Sequence, residues 1–170
     1  AVREAKDRVK AALQTCGFQF PNKRITCNLA PADLPKDGGR FDLAIALGIL
    51  AASGQIPYEP LRNLEILGEL SLSGELRAVH GALPAALKAH AAGHGLLVPQ
   101  QNAREACLAT DIHLYTADHL SALCAALHAD TLARTILEPA PLNAAPEELD
   151  LAQVRGQQQA KRALEIAAAG

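Results

Sequence analysis

The 170-residue sequence predicts an α/β fold in which helices pack against a mixed sheet. Hydrophobic residues make up 49% of the chain and aromatic residues only 3%, so Ala, Leu, Ile and Val have to fill the core. From about residue 82 onwards, short apolar runs alternate with segments of helical periodicity, which is the pattern of βαβ units with parallel strands. A chain of this length supports one domain with a substantial core and a small appendage.

The chain opens with a predicted amphipathic helix. Apolar residues recur at helical spacing from Val2 to Cys16, and Gly17 ends the run. The opposite face of this helix is basic and is expected to be exposed. It carries Arg3, Lys6, Arg8 and Lys10.

A strand and a second helix are predicted next. In the sequence RITCNLA, Ile25, Cys27 and Leu29 alternate with polar neighbours, the period of a strand with one buried face. From Phe41 to Ser53 the sequence is apolar almost all round, which predicts a helix buried at the centre of the domain.

The second half alternates between the two kinds of element. Residues 64–79 are predicted to form strands that turn at Ser73-Gly74 as a hairpin. Helices are predicted at about 82–92, 102–108 and 118–128, and strands at 96–98 and 112–115. Residues 1–137 are therefore predicted to form the main domain. Residues 138–149 contain three prolines and predict a linker, and 150–170 return to a helical pattern.

The charge distribution is uneven although the net charge is only −2. Residues 1–40 carry eight Lys or Arg against four Asp or Glu, and the remainder carries eight against fourteen. The amino-terminal part is therefore the part suited to an anionic partner. No apolar run is long enough to cross a bilayer and no signal peptide opens the chain, which favours a cytoplasmic protein without a membrane partner.

The common cofactor motifs are missing from the sequence. The four cysteines are far apart and form no CxxC pair, so we expect them to be reduced core residues: Cys16, Cys27, Cys107 and Cys124. The pairs His90/His94 and Cys124/His128 each lack a third ligand nearby, so we predict no metal site. The loop PKDGGRFD differs from a P-loop because Arg40, Phe41 and Asp42 follow its glycines, which argues against tight nucleotide binding there.

Three long blocks of the sequence resemble the ComM/YifB family of magnesium-chelatase-like AAA+ ATPases. They are PKDGGRFDLAIALGILAASGQIP, LGELSLSGELRAVHGALPAAL and DLAQVRGQQQAKRALEIAAAG. The resemblance implies a Lon-protease-like amino-terminal domain followed by an AAA+ motor. It also implies that this sequence is a piece of a longer protein, with its sheet incomplete at the amino terminus and its AAA+ module, starting at about residue 150, truncated.

The resemblance to Lon proteases implies a lost peptidase site. The nucleophilic serine of that family corresponds to Arg40, and the lysine that activates it corresponds to Leu83, while Lys36 and Lys88 fall outside both positions. Neither Arg40 nor Leu83 can perform the Ser-Lys chemistry, which needs a hydroxyl beside a desolvated amine. We therefore expect no catalytic residue here, and Arg40 is either a reused charge-recognition group or an ordinary solvated arginine.

The AAA+ resemblance places half of an adenine site in the last block. Gly156 and Gln157 match the Gly-Gln pair that flanks adenine in AAA+ modules. The phosphate loop is missing from the sequence, so we expect no cofactor in this chain, and ATP with Mg²⁺ in the longer protein.

The function implied is that of a non-catalytic domain of a DNA branch-migration helicase used in natural transformation. This domain would contribute weak, sequence-independent DNA contact, hexamer assembly through the AAA+ module, or both. A protein–protein interaction module without DNA contact is the alternative, and a surviving peptidase is the third possibility. The candidate DNA-binding residues are Lys6, Lys10, Lys23, Arg24, Lys36 and Arg40.

Overall fold

The computed structural model describes residues 2–30, 38–137 and 151–169. It divides into two compact units, Ala1–Leu137 and Glu138–Gly170. The described residues of the first unit contain five α-helices: α1 (Val2–Thr15), α2 (Asp42–Ala52), α3 (Ala82–Ala91), α4 (Ala103–Ala106) and α5 (Leu120–His128). Its five strands are β1 (Leu64–Ile66), β2 (Glu69–Leu70), β3 (Leu76–Arg77), β4 (Gly95–Pro99) and β5 (Leu114–Ala117).

The main sheet has three parallel strands in the order β1-β4-β5. Both crossovers, through α3 and α4, step in the same direction along the sheet. Because such crossovers are right-handed, both helices lie on the same face. The opposite face is covered by α1, α2 and α5, so the sheet is buried on both sides and the predicted α/β class is confirmed.

Alternate residues of β4 divide the core into two clusters. Leu96 and Val98 pack with α3 and α4, and Leu97 packs with α1, α2 and α5. All five residues of this strand are buried, since it lies between two neighbours and under two helical layers. The two-residue side-chain period of a strand therefore supplies both cores from one short apolar run.

Helix α2 is the buried helix that the sequence predicts. Leu43, Leu47 and Leu50 are fully buried, and they pack with α1, the sheet and α5. The helix ends at Ser53, whose Oγ donates to the carbonyl oxygens of Ile49 and Leu50.

The predicted hairpin is present as β2 and β3, which pair antiparallel around the turn at Ser71–Gly74. Gly74 adopts φ 94°, a left-handed conformation that glycine adopts without a steric penalty. The turn packs against the loop before α5, because Leu120 N–H donates to Gly74 and Leu76 N–H donates to Asp118.

The prediction of a strand at residues 25–29 is wrong. Residues 24–29 have no regular secondary structure, and Ile25 and Cys27 are exposed. Alternation alone does not form a strand, because a strand also needs a neighbouring chain to accept and donate its backbone hydrogen bonds. The same exposure corrects the expectation that all four cysteines lie in the core: all four are free, but Cys124 alone is fully buried.

The second unit contains a short 3₁₀ turn at Leu151–Gln153 and helix α6 (Gln158–Ala169). The predicted linker at 138–149 lies outside the described residues. Across residues 2–30, 38–137 and 151–169, no helix has the length and hydropathy needed to span a membrane. Within the same ranges, no three His, Cys, Asp or Glu side chains come together as a metal site.

The burial of Cys124 predicts a pH dependence of stability. Burial raises the pKa of its thiol to about 12 from 9.0, so the folded protein keeps a proton that the unfolded chain releases. This contribution is fully present below pH 9 and is lost as the pH rises towards 12. The free energy of unfolding of the natural chain should therefore fall more steeply between pH 9 and pH 11 than that of Cys124→Ala.

Urea unfolding at several pH values checks this prediction, with Cys27→Ala as the matched control because Cys27 is exposed. Cys27→Ala should follow the natural chain throughout. Parallel curves for the natural chain and Cys124→Ala would contradict the prediction.

Candidate functional site

The glycine loop is attached to the end of strand β1 by backbone hydrogen bonds. Gly68 N–H donates to the carbonyl oxygen of Arg40 at 2.9 Å, and Leu43 N–H donates to that of Gly68 at 3.0 Å. These bonds hold the start of α2 at the carboxyl end of the parallel sheet. This edge is where sites form in open α/β sheets.

Asp42, the first residue of α2, is a buried carboxylate paired with Arg8 of α1. Its side chain is 1% exposed, and Arg8 Nε donates to Oδ2 at 2.8 Å. Arg8 Nη2 donates to Oδ1 at 3.3 Å, which makes the pair bidentate. Leu70 N–H of β2 also donates to Oδ2, at 3.5 Å. Three elements of the fold therefore meet at one carboxylate.

Burial and the Arg8 pair act on the pKa of Asp42 in opposite directions. Burial, the larger effect, raises the pKa above 3.8, while the hydrogen bond and charge of Arg8 lower it. Since the folded-state pKa is raised, the folded state holds this proton more tightly than the unfolded chain does. The contribution of this group to stability is therefore greatest below about pH 3.8 and decreases as the pH rises through the folded pKa.

Gly39 is required by the packing around this carboxylate. A Cβ atom there would lie 2.5 Å from Glu69 Cγ and 2.7 Å from Asp42 Oδ2. The second glycine of the loop therefore brings the chain close to the ion pair.

Arg40 lies shortly before α2, and its guanidinium extends towards Gly81 at the start of α3. Its guanidinium carbon is 5.4 Å from the ring centroid of Phe41, within the range of a cation–π contact. Nη2 is 3.8 Å from the point where a side chain at Gly81 would begin, at the start of α3. Nε is inaccessible to solvent and has no hydrogen-bond partner.

Leu83, the other residue for which the resemblance implies a former peptidase position, lies two residues after Gly81 in α3. Its backbone N–H donates to Glu105 Oε1 at 3.1 Å. Asn102, which is buried, exchanges hydrogen bonds with both backbone groups of Val79 and donates to Glu105 Oε2. The fold thus brings Arg40 near the segment that contains Leu83, but an apolar side chain and a guanidinium provide neither a nucleophile nor a base.

The other basic candidates lie on an exposed surface around Phe20. Lys10 Nζ is 5.9 Å from the ring centroid of Phe20, and Lys6 lies one helical turn earlier on α1. Lys23 and Arg24 line, with Phe20, a groove of about 1020 Å³ that runs along α2. We call Lys6, Lys10, Lys23 and Arg24 the basic surface; all four are exposed.

Three candidates lie elsewhere. Lys36 lies outside the described residues. Gly156 and Gln157 belong to the second unit, where they precede α6 with φ values of 71° and 55°. Both are left-handed, a conformation that is common for glycine and uncommon for glutamine.

Sequence reasoning missed the roles of Arg8 and Glu105. Arg8 is expected on the exposed face of α1, yet its side chain is only 26% exposed and pairs with Asp42. The spacing of Ala5, Arg8 and Ala12 places Arg8 at the border of the apolar face, and this signal could have identified it. No local signal could have paired Glu105 with Leu83, because the contact depends on how α3 and α4 pack.

The layers and the loop at the start of the buried helix define a Lon-like α/β domain. Lon protease 2 of Bacillus subtilis is 29% identical over 97 residues, which are 56% of this chain and 17% of that protein. A profile of the family described as subunit ChlI of Mg-chelatase matches residues 1–102. The chain belongs to this family.

Longer proteins match nearly the whole chain. Competence protein ComM of Haemophilus influenzae is 49% identical over 173 residues, which cover 99% of this chain and 34% of ComM. Uncharacterized protein YifB of Escherichia coli K12 is 46% identical over 171 residues, with coverages of 99% and 33%. The chain spans about a third of the length of these curated relatives.

The Arg8–Asp42 pair predicts a large loss of stability when the cation is removed. Arg8→Gln leaves a buried carboxylate without its charged partner, and we expect a loss of about 3–5 kcal/mol in the free energy of unfolding. The loss should be larger at pH 7 than at pH 4, because protonation of Asp42 removes the buried charge. Urea unfolding at both pH values measures this difference.

The double variant Arg8→Gln/Asp42→Asn should recover part of the loss, since it removes both charges together. Arg62→Gln is the matched control, because its pair with Glu59 is exposed and should contribute little. An Arg8→Gln protein as stable as the natural chain at pH 7 would show that the pair is not structural.

Proposed function

We propose that this chain is a non-catalytic domain of a ComM-like AAA+ DNA branch-migration helicase used in natural transformation. In this proposal the domain engages DNA, contributes to assembly of a hexamer, or does both. The 49% identity to a competence protein over nearly the whole chain supports the parent class. The observation that carries the DNA role is the basic surface around Phe20.

The basic surface suits a phosphate backbone better than it suits base recognition. Its four cations are exposed, which favours sequence-independent contact with counterion release. Phe20 is covered by Lys10 and is half-buried, so it offers little of the open stacking face that captures single-stranded bases. The net charge of −2 makes the rest of the chain indifferent or repulsive to DNA. Binding is therefore confined to this surface and is weak in a single copy.

Catalysis is assigned to the rest of the longer protein. Arg40 and Leu83 stand where a Lon-type peptidase needs serine and lysine, and no P-loop sequence occurs in residues 1–170. ATP and Mg²⁺ are cofactors of the AAA+ module, where Gly156 and Gln157 would flank the adenine. In the cell we place the protein in the cytoplasm, where it would meet incoming DNA.

A second candidate function is an interaction module of a magnesium-chelatase-like ATPase without DNA contact. Its support is a set of large apolar side chains at the surface, including Leu72, Leu87 and Leu108, the last of which is 70% exposed. Such side chains are common singly on monomers, and they become significant when they form one patch. Self-association measured beside DNA binding separates the two functions.

The DNA role predicts a loss of affinity when the basic surface is reversed. Lys6→Glu, Lys10→Glu, Lys23→Glu and Arg24→Glu together should remove up to four phosphate contacts. The negative slope of log affinity against log salt concentration should then become shallower by about 3 to 4. Fluorescence anisotropy with a labelled duplex, in the natural protein that contains this sequence, measures both quantities.

A charge-matched variant controls for net charge. Arg62, Lys88, Arg104 and Arg134 are also exposed, and their reversal to glutamate changes the total charge equally. It should change the salt slope little. If the two fourfold variants bind DNA equally, the basic surface has no DNA role and the interaction module replaces it.

The proposed loss of the peptidase site predicts a protein without peptidase activity. A fluorophosphonate probe should label no serine of this chain, and unfolded casein should remain intact, because neither a nucleophile nor a base occupies the Lon positions. Arg40→Ser/Leu83→Lys is the informative comparison, since it restores the residue types. Labelling of the natural chain at one defined serine would contradict the account of these two positions.

A further inference from the structure

Arg40 carries a positive charge that has no ion-pair partner within residues 2–30, 38–137 and 151–169. Its Nε is sealed from solvent without a hydrogen-bond acceptor, and no carboxylate among the described residues forms an ion pair with it. The contact with the Phe41 ring offsets only part of the cost of removing a cation from water. The side chain as a whole is half-buried, so an anion from outside the chain can reach the rest of the guanidinium.

Two of the three described carboxylates in this region are bound to other groups. Asp42 is bound by Arg8, and Glu105 accepts from Leu83 N–H and Asn102. Glu69 packs against Gly39 and lies opposite Arg77 in the hairpin. None of them forms a hydrogen bond with the Arg40 guanidinium. Within the described residues, the guanidinium of Arg40 is therefore available to an external ligand.

The surroundings of the guanidinium favour an oxyanion. Nη2 is 3.8 Å from the point where a Cβ atom of Gly81 would lie, and Gly81 directly precedes the ten-residue helix α3. The amino end of this helix carries a partial positive charge, which Glu105 offsets in part by accepting from Leu83 N–H. Gly81 has no side chain to cover the approach. Because Nε is sealed, only the outer edge of the guanidinium, with Nη1 and Nη2, is left to bind two oxygens of one group side by side.

We propose that Arg40 holds one phosphate of the DNA backbone against the amino end of α3. This inference rests on the proposed DNA function and adds to it a held guanidinium, which differs from the exposed cations of the basic surface. Phe41 and the sealed Nε hold the guanidinium in place, so little side-chain freedom is lost on binding. Eight of the sixteen Lys and Arg residues lie within residues 1–40, which makes a polyanion a better match than a single acidic side chain.

Substitution of Arg40 tests the proposal in the natural protein that contains this sequence. Arg40→Gln should weaken binding of a labelled duplex about tenfold at low salt and lower the salt slope by about 1. Arg40→Lys should keep the slope and lose part of the affinity, because lysine retains the charge but not the two-pronged geometry. Arg104→Gln, an exposed arginine of α4, is the control and should change neither.

The Nε–H signal of Arg40 in ¹⁵N NMR spectra gives a readout that does not depend on affinity. Shelter from solvent should make this proton exchange slowly, and Arg40→Lys identifies the signal by removing it. Addition of duplex DNA should shift the signal, whereas the same concentration of sodium chloride should not. Thermal unfolding of each variant separates loss of binding from loss of fold; if Arg40→Gln does not fold, Arg40→Lys and the NMR titration decide.

Each other outcome overturns a defined part of the account. If reversal of the basic surface weakens DNA binding and Arg40→Gln leaves affinity and slope unchanged, the Arg40 contact is wrong and the proposed function stands. If neither variant affects DNA binding, the proposed function fails. If Arg40→Gln alters self-association alone, the partner is a protein carboxylate. In that last case the phosphate contact is overturned.

Discussion

The buried pair of Arg8 and Asp42 is the interaction on which the arrangement around the candidate site depends. It joins α1 to the first residue of α2, and Leu70 N–H adds strand β2 to the same carboxylate. Removing two charges from water costs several kcal/mol per ion, so the pair is stable only with good geometry and additional hydrogen bonds. The bidentate contact provides that geometry, and Gly39 allows the chain to pass close to the carboxylate without a clash.

The pair also positions the residues of the candidate site. With α2 fixed at its first residue, Arg40 and Phe41 lie at the carboxyl end of the sheet, where Gly68 holds the Arg40 carbonyl. Helix α3 starts from the same edge, since it follows the hairpin that begins after β1. The guanidinium of Arg40 and the amino end of α3 therefore meet as a consequence of the layer arrangement. Neither helix could provide this juxtaposition alone.

The sequence predicts the elements that depend on local pattern and misses those that depend on partners. Helix α2 and strand β4 follow directly from continuous apolar runs, because burial on all sides requires such runs. The alternation at Ile25, Cys27 and Leu29 has the right period for a strand, but no adjacent chain pairs with it. The sequence predicts an exposed Arg8, because a charged side chain normally faces solvent even when it lies beside the apolar face of a helix. The proximity of Arg40 to Gly81 joins residues far apart in the chain, and only the packed fold establishes it.

Hydrogen–deuterium exchange of the natural protein, with and without duplex DNA, tests most directly whether this domain contacts DNA through its amino-terminal part. DNA should slow exchange in α1, in residues 18–30 and in the first turns of α2 and α3. Exchange in α4 and α5 should stay unchanged, since the described fold places no part of the basic surface there. Protection confined to α4 and α5, or no protection anywhere in residues 1–137 under conditions where the protein binds DNA, would contradict the account.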